Sequence, residues 1–110
     1  MAYNEKLAER IRGELDNIPF VEKKMFGGVG FLVHGNMACG VHNQSMIVRV
    51  DPGKHNALLK KPHARPFDIT GKPMRNWVVV ERGGVEDDDQ LADWIWRAMK
   101  FVGSLPAREK

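Results

Sequence analysis

Cysteine is almost missing from this sequence, since Cys39 is the single one among 110 residues. A lone cysteine excludes an intramolecular disulfide and any zinc site built from several cysteines, and it fits a reducing compartment. Long apolar runs are also absent, since none approaches the ~18 residues of a membrane span. The N-terminus lacks the charged-then-apolar pattern of a secretory signal. We therefore expect a cytoplasmic protein with no membrane association.

A strong charge of one sign is likewise absent, because 17 basic and 14 acidic residues leave a net charge of only +3. That excess is too small to indicate nucleic-acid binding by itself. This excess is concentrated between Lys54 and Arg82, where the sequence contains seven basic residues and two acidic ones. The candidate recognition residues in and beside this segment are Arg49, Arg65, Lys72 and Arg75, which could meet phosphates or an acidic partner. For Arg65 alone, we expect it to brace a loop carbonyl or to pair with Asp68.

What the chain does have is helical periodicity at both ends. A length of 110 residues suits one domain, residues 1–110. Apolar residues recur every three or four positions near each terminus, which predicts two amphipathic helices: Tyr3, Leu7, Ile11, Leu15 and Ile18, and then Leu91, Trp94, Ile95, Ala98, Met99 and Val102. Asn4 is the expected cap of the first helix, and Asn17 and Pro19 are its expected end. Trp96 lies off the second stripe, so we expect it to be partly exposed and a candidate for an interface.

The middle of the chain is typical of short strands joined by tight turns. A break at Gly27-Gly28, a Gly35-Asn36 hairpin turn and a turn at residues 42–45 separate the first four strands. Asp51 and Pro52 should open a short helix, and one or two strands follow, ending in Trp77–Val80. These patterns predict an α+β two-layer sandwich. Its mainly antiparallel sheet has about five strands, with the N- and C-terminal helices and a short middle helix packed on it.

Residues for catalysis or metal binding are sparse. Cys39 and His42 have the only metal-like spacing, and His34 across the hairpin is a candidate third ligand. Residues three apart in a strand point to opposite faces, so we expect no metal and no other cofactor. No phosphate loop, nucleophile triad or paired-carboxylate motif occurs. The chain is therefore expected not to be an enzyme, although a small metal-binding or enzymatic protein using Cys39, His34 and His42 remains an alternative.

Several stretches together resemble one known family. They run in order along nearly the whole chain: Lys24-Met25-Phe26-Gly27-Gly28, Phe31, Gly35-Asn36-Met37-Ala38, Arg49-Val50, Ala64-Arg65-Pro66-Phe67, residues 70–74 and Trp77–Val80. This set is similar to the signature of the TfoX/Sxy N-terminal domain. The resemblance implies a two-layer α+β fold with an antiparallel sheet. Full-length members are bacterial regulators of competence genes that act with a cyclic-AMP receptor protein and carry a second, helical domain.

The resemblance implies no catalytic residues, and the motif residues have structural interpretations. Glycines at 27, 28 and 35 suit bends, Phe26 and Phe31 suit a core, Asn36 and Met37 belong to the hairpin motif, and Pro66 suits the entrance of an extended strand. We therefore expect a non-enzymatic regulatory or protein-interaction module with one or more protein partners. A homodimer is compatible with this expectation, and a nucleic-acid-binding domain using residues 54–82 is the main alternative.

Overall fold

One antiparallel sheet forms the body of the protein, and helices pack on one of its faces. The computed structural model describes residues 4–25, 28–67 and 74–105. Its helices and strands, in chain order, are α1 (Glu5–Glu14), β1 (Val21–Met25), β2 (Gly28–Val33), β3 (Asn36–His42), β4 (Ser45–Arg49), α2 (His55–Leu58), β5 (Ala64–Phe67), β6 (Met74–Val80) and α3 (Asp88–Val102). The predicted α+β class and the short middle helix are confirmed.

The sheet contains six strands in the order β1-β2-β3-β4-β6-β5, where about five were expected. Every pair of neighbours is antiparallel. The extra strand is β5, the short extended stretch that carries Pro66. Proline cannot donate a ladder hydrogen bond, which explains why β5 lies at an edge of the sheet. The other edge is β1.

Both long helices begin with a side-chain hydrogen bond to the backbone, and Asn4 is the cap that was expected for α1. The side chain of Asn4 accepts a hydrogen bond from the backbone N–H of Leu7 at 3.1 Å. The backbone N–H of Asp87 donates to the Gln90 side chain at 3.0 Å and opens α3. The predicted end of α1 at Asn17 is wrong, because the helix stops at Glu14. Pro19 disfavours a helical conformation at the preceding residue, and the chain instead turns so that the N–H of Ile18 donates to the carbonyl of Leu15.

The main core lies between the sheet and the helices. It contains Phe31 from β2, Ile11 from α1 and Leu91 and Trp94 from α3, all with at most 2% of their surface exposed. A second, smaller cluster consists of Ile47, Trp77 and Val79, with Met37 and Phe67 packed against it. All five come from strands, so none of the described helices contributes to this cluster. We call this side of the sheet the helix-free face.

The β2–β3 hairpin differs from expectation by one residue. Its central residues are His34 and Gly35, with φ angles of 52° and 81°, and not Gly35 and Asn36. Val33 pairs with Asn36 in the ladder, which makes Asn36 the first residue of β3. Positive φ at both central positions is the pattern of a type I′ two-residue hairpin, and Gly35 adopts it without steric cost.

Within the described ranges, no helix combines the length and the apolar character that crossing a bilayer requires.

Candidate binding cleft on the helix-free face

The candidate site is built from three neighbouring strands. Ile47 of β4 and Arg65 of β5 both pair with Val79 of β6, so these three residues form one row across the sheet. Directly paired residues point to the same face. Since Ile47 and Val79 belong to the second cluster, the row lies on the helix-free face.

A cleft of about 460 Å³ opens above this row. Its lining joins the apolar side chains of the row to the polar residues of the β3–β4 turn: His42, Asn43, Gln44, Ser45, Ile47, Arg65, Phe67 and Val79. Ile47 and Val79 are buried at the bottom, whereas Asn43, Gln44 and Arg65 are exposed at the rim. The result is an apolar floor behind hydrogen-bonding groups that water can reach.

Aromatic rings close over part of the floor. The rings of His42 and Phe67 meet edge to face, with centroids 6.3 Å apart. Phe67 also meets Trp77 edge to face, at 6.2 Å. His42 is on β3 and Phe67 on β5, with β4 and β6 between them in the sheet. The two side chains therefore reach towards each other across the face formed by the middle strands, and they shield Ile47 and Val79 from water.

One ion pair lies at the rim. The Arg65 Nε donates to Glu81 Oε2 at 3.0 Å, and the two side chains are 54% and 52% exposed. Pairs exposed to this degree contribute only ~0–1 kcal/mol. Arg65 thus keeps a charge that solvent and a partner can reach. The alternative pairing with Asp68 falls outside the described residues.

Arg49, the other recognition candidate whose side chain the structure describes, does not join Arg65. Arg49 is half-buried: its Nη1 donates to the Met37 carbonyl at 3.4 Å, and its guanidinium lies 5.8 Å from the centre of the Phe101 ring. These contacts tie β4 to β3 and α3. Lys72 and the side chain of Arg75 lie outside what the structure describes.

The rest of the basic segment is spread over the surface. Lys54 borders a groove beside α3, Lys61 lies 5.8 Å above the Trp94 ring, and Arg82 borders a depression near the start of α1. Of the basic residues 54–82 whose side chains are described, only Arg65 lines the cleft. The positive segment of the sequence therefore does not form one continuous surface among the described residues.

The family-motif residues that the structure describes have structural positions. A Cβ on Gly28 would collide with the carbonyl oxygen of Val41, which explains glycine there. Phe31 is fully buried in the core, and Asn36 is buried at the start of β3. Met37 packs against the second cluster. Phe26 and Gly27 lie outside the described residues.

Cys39, His34 and His42 are not brought together. Cys39 is completely buried in the main core, and burial raises the pKa of its thiol to about 12. His42 packs against Phe67 on the helix-free face. His34 lies in the turn before β3, and a seven-residue strand of roughly 20 Å separates it from His42. In the part of the chain that the structure describes, no group of three His, Cys, Asp or Glu residues could hold a metal ion.

Sequence patterns predict only strands or an extended stretch at Ile47, Phe67 and Val79, so they do not predict the cleft. A signal was present. Trp77–Val80 is an unbroken apolar run, and such a run indicates a strand that is buried on both faces.

A comparison with family models gives one finding. Residues 15–102 match the model described as the TfoX N-terminal domain. That range includes every strand of the described sheet and all of α3. Neither the curated proteins nor the solved structures gave a significant match.

Proposed function

We propose that this chain, which belongs to the TfoX N-terminal domain family, is a non-enzymatic regulatory module that binds a partner protein through the cleft on the helix-free face. The observation that carries the proposal is the cleft's construction, in which the apolar floor of Ile47 and Val79 lies behind the exposed Gln44 and Arg65. An apolar centre with a polar rim is the usual anatomy of a protein interface.

Two features favour a protein over a small molecule or a nucleic acid. The rim residues Asn43, Gln44 and Arg65 are exposed, whereas small-molecule sites bury ~70–90% of their ligand. Nucleic-acid affinity comes mainly from several cations that meet phosphates together. Among the residues that the structure describes, the cleft offers one arginine, and Glu81 pairs with it.

The family resemblance supplies a partner class to test, a cyclic-AMP receptor protein on promoter DNA. The chain would be titrated against the receptor–DNA complex, against the receptor alone and against the DNA alone, with binding followed by biolayer interferometry. We expect binding wherever the receptor is present and only weak, salt-sensitive binding to DNA alone. Equally tight binding to DNA alone that falls steeply with salt would instead support the nucleic-acid alternative. Absence of binding in all three titrations would contradict the regulatory proposal.

Cleft variants then locate the binding surface. Arg65→Glu reverses the rim charge, and Gln44→Arg adds bulk and charge at the turn. Either change should weaken receptor binding by about tenfold, which corresponds to ~1.4 kcal/mol. Arg82→Glu is the matched control, because Arg82 is exposed and lies outside the cleft. Receptor binding that falls equally for Arg82→Glu and Arg65→Glu would show that overall charge, and not the cleft, is responsible.

A further inference from the structure

A second concave surface lies on the helix side of the molecule, away from the cleft. It is a groove of about 210 Å³ between the last two turns of α3 and the segment that enters α2. Trp96 forms one wall and is 57% exposed, one of two large hydrophobic residues of the described chain that are exposed to this extent. The other apolar residues of α3 are buried or half-buried, so a tryptophan left this open needs a reason, and partly exposed tryptophan is enriched at interfaces.

The floor of the groove is apolar. Val50 and Leu58 are buried beneath it, and the half-buried Phe101 borders it one turn beyond Trp96. The volume is below the ~300–1,000 Å³ of ordinary small-molecule pockets. It therefore suits the insertion of a single apolar side chain better than the enclosure of a whole small molecule.

The rim of the groove is positively charged. Lys54 makes no ion pair within the described residues, and the Lys100 ammonium lies 5.0 Å from the centre of the Trp96 ring. Arg97 is also present, with its charge matched by Asp93 at 3.0 Å. Among the described residues, Asp51 is the only carboxylate in the lining, and its side chain accepts a hydrogen bond from the N–H of Gly53 at 2.9 Å. Lys54, Arg97 and Lys100 carry three positive charges against the two negative charges of Asp51 and Asp93, so a net charge of +1 surrounds the apolar pocket.

We propose that this groove binds an acidic peptide segment of a partner protein, with one apolar side chain inserted between Trp96 and Phe101 and with carboxylates beside Lys54 and Lys100. An acidic peptide fits this groove because its negative charge complements the positive charge of the rim. The chain's own residues after Leu105 would be a poor match, because Arg108 and Lys110 outnumber Glu109. The site is separate from the cleft on the helix-free face and does not depend on the function proposed for it.

The three tryptophans lie in different parts of the protein, so their indole N–H signals in an NMR spectrum report which surface binds the peptide. Trp77 belongs to the helix-free face, Trp94 to the main core and Trp96 to the groove. The probe is a synthetic peptide with one leucine between short runs of aspartate and glutamate, titrated into ¹⁵N-labelled protein. We expect the indole N–H signal of Trp96 to shift, with those of Trp77 and Trp94 nearly unchanged. A peptide with lysine for the acidic residues, or with alanine for the leucine, should bind at least about tenfold more weakly.

Substitutions separate binding from a purely structural role. Lys100 also suits the C-terminal turn of α3 because of the helix dipole, so its presence alone has a structural explanation. Lys54→Glu combined with Lys100→Glu should reduce peptide affinity by about tenfold or more, since each reversal replaces attraction by repulsion. Lys60→Glu, an exposed neighbour outside the groove, is the matched control. Trp96→Ala lacks the Trp96 indole, so its peptide affinity is followed by the backbone amide signals of the groove residues and should fall by about tenfold or more. The variant should stay folded, because the Trp96 side chain is more than half exposed.

Several outcomes would overturn the inference: a shift of the Trp77 signal in place of Trp96, equal binding of the lysine peptide, or equal loss of affinity for Lys60→Glu. Tighter binding of a single-stranded oligonucleotide than of the acidic peptide at Trp96 would also overturn it, since bases stack on exposed tryptophan. Receptor binding that is lost with Arg65→Glu but unaffected by Trp96→Ala bears on the cleft alone, so the two proposals fail independently.

Discussion

Arg12 of α1 holds both carboxylate oxygens of Glu22 on β1, through hydrogen bonds of 2.7 Å from Nε and 2.7 Å from Nη2. The same guanidinium reaches Glu5 at 3.2 Å. This bidentate ion pair connects α1 to β1, an edge strand of the sheet. Both side chains are about 30% exposed, so solvent weakens the pair without abolishing it.

The pair should make stability depend on pH. The hydrogen bond from Arg12 holds the pKa of Glu22 below its usual value, against an opposing effect of burial. A carboxyl with a lowered folded-state pKa contributes stability that is present above its unfolded pKa of about 4.3 and is lost as pH falls through the folded value. Glu22→Gln should therefore cost about 1 kcal/mol at neutral pH and progressively less in acid.

Thermal melts of wild type, Glu22→Gln and the exposed control Glu14→Gln over a series of pH values check this expectation. The gap between wild type and Glu22→Gln should close as the solution becomes more acidic than the unfolded pKa. A gap that stays constant over the whole range, or one that Glu14→Gln reproduces, would show that the Arg12–Glu22 pair is not its source.

Two tryptophans on α3 allow the stability cost of truncating a buried side chain to be compared with that of truncating an exposed one. Trp94 is 2% exposed in the main core, and Trp96 is 57% exposed. Trp94→Ala should cost about 3–5 kcal/mol of unfolding free energy, because it leaves a large cavity in the core. Trp96→Ala should change it by about 0.5 kcal/mol or less. Urea denaturation measures both, and similar losses for the two variants would mean that the helix presents a different face to the sheet.

Two glycines should respond in opposite directions to alanine. A Cβ on Gly40 in β3 would collide with the carbonyl oxygen of Val29, so Gly40→Ala should destabilise by about 1–3 kcal/mol through backbone displacement. Gly13 lies in α1 with nothing within 4 Å of the added carbon, and Gly13→Ala should stabilise by about 0.5–1 kcal/mol. Opposite shifts of the melting temperature are the expected result. A neutral Gly40→Ala would contradict the close approach of β2 and β3.

Cys39 should be unreactive towards thiol reagents in the folded protein. Its thiol is completely buried, and its pKa of about 12 leaves very little thiolate at neutral pH. Since thiolate is the reactive form, a disulfide reagent should label Cys39 only at the rate of unfolding and should reach one equivalent in denaturant. Rapid labelling of the native protein would place Cys39 outside the core.

The helices and strands that could be predicted from the sequence are those in which the hydrophobic periodicity agrees with the capping and turn residues at their ends. The stripe of Leu91, Trp94 and Ile95 places α3 correctly, and Asn4 and Asp51 cap the segments they were expected to cap. Where two local signals compete, the prediction fails by a small margin. Leu15 continues the apolar stripe of α1, but it lies in a turn after the end of the helix. Its side chain is still buried there, because burial does not require a helical backbone.

The cleft depends on pairings that no local pattern contains. Arg65 meets Glu81, 16 residues away, because β5 and β6 pair in a register that places Arg65 opposite Val79. Likewise, His42 and Phe67 are 25 residues apart in the sequence, and their rings meet only because the strand order β3-β4-β6-β5 places both on the same face of one sheet. Sequence spacing predicted the first four strands and β6 and left β5 as an extended stretch, but the order of β6 and β5 in the sheet, which assembles the site, comes from packing over the whole fold.

The claim that the cleft receives a partner protein can be tested by hydrogen exchange of the chain alone and in complex with a cyclic-AMP receptor protein. We predict slower exchange in the β3–β4 turn at Asn43 and Gln44 and along the edge strand β5 (Ala64–Phe67), with β1 at the opposite edge unchanged. Protection confined to β1, or to the groove beside Trp96, with none at the turn or at β5 would contradict the assignment of the helix-free face as the partner-binding surface.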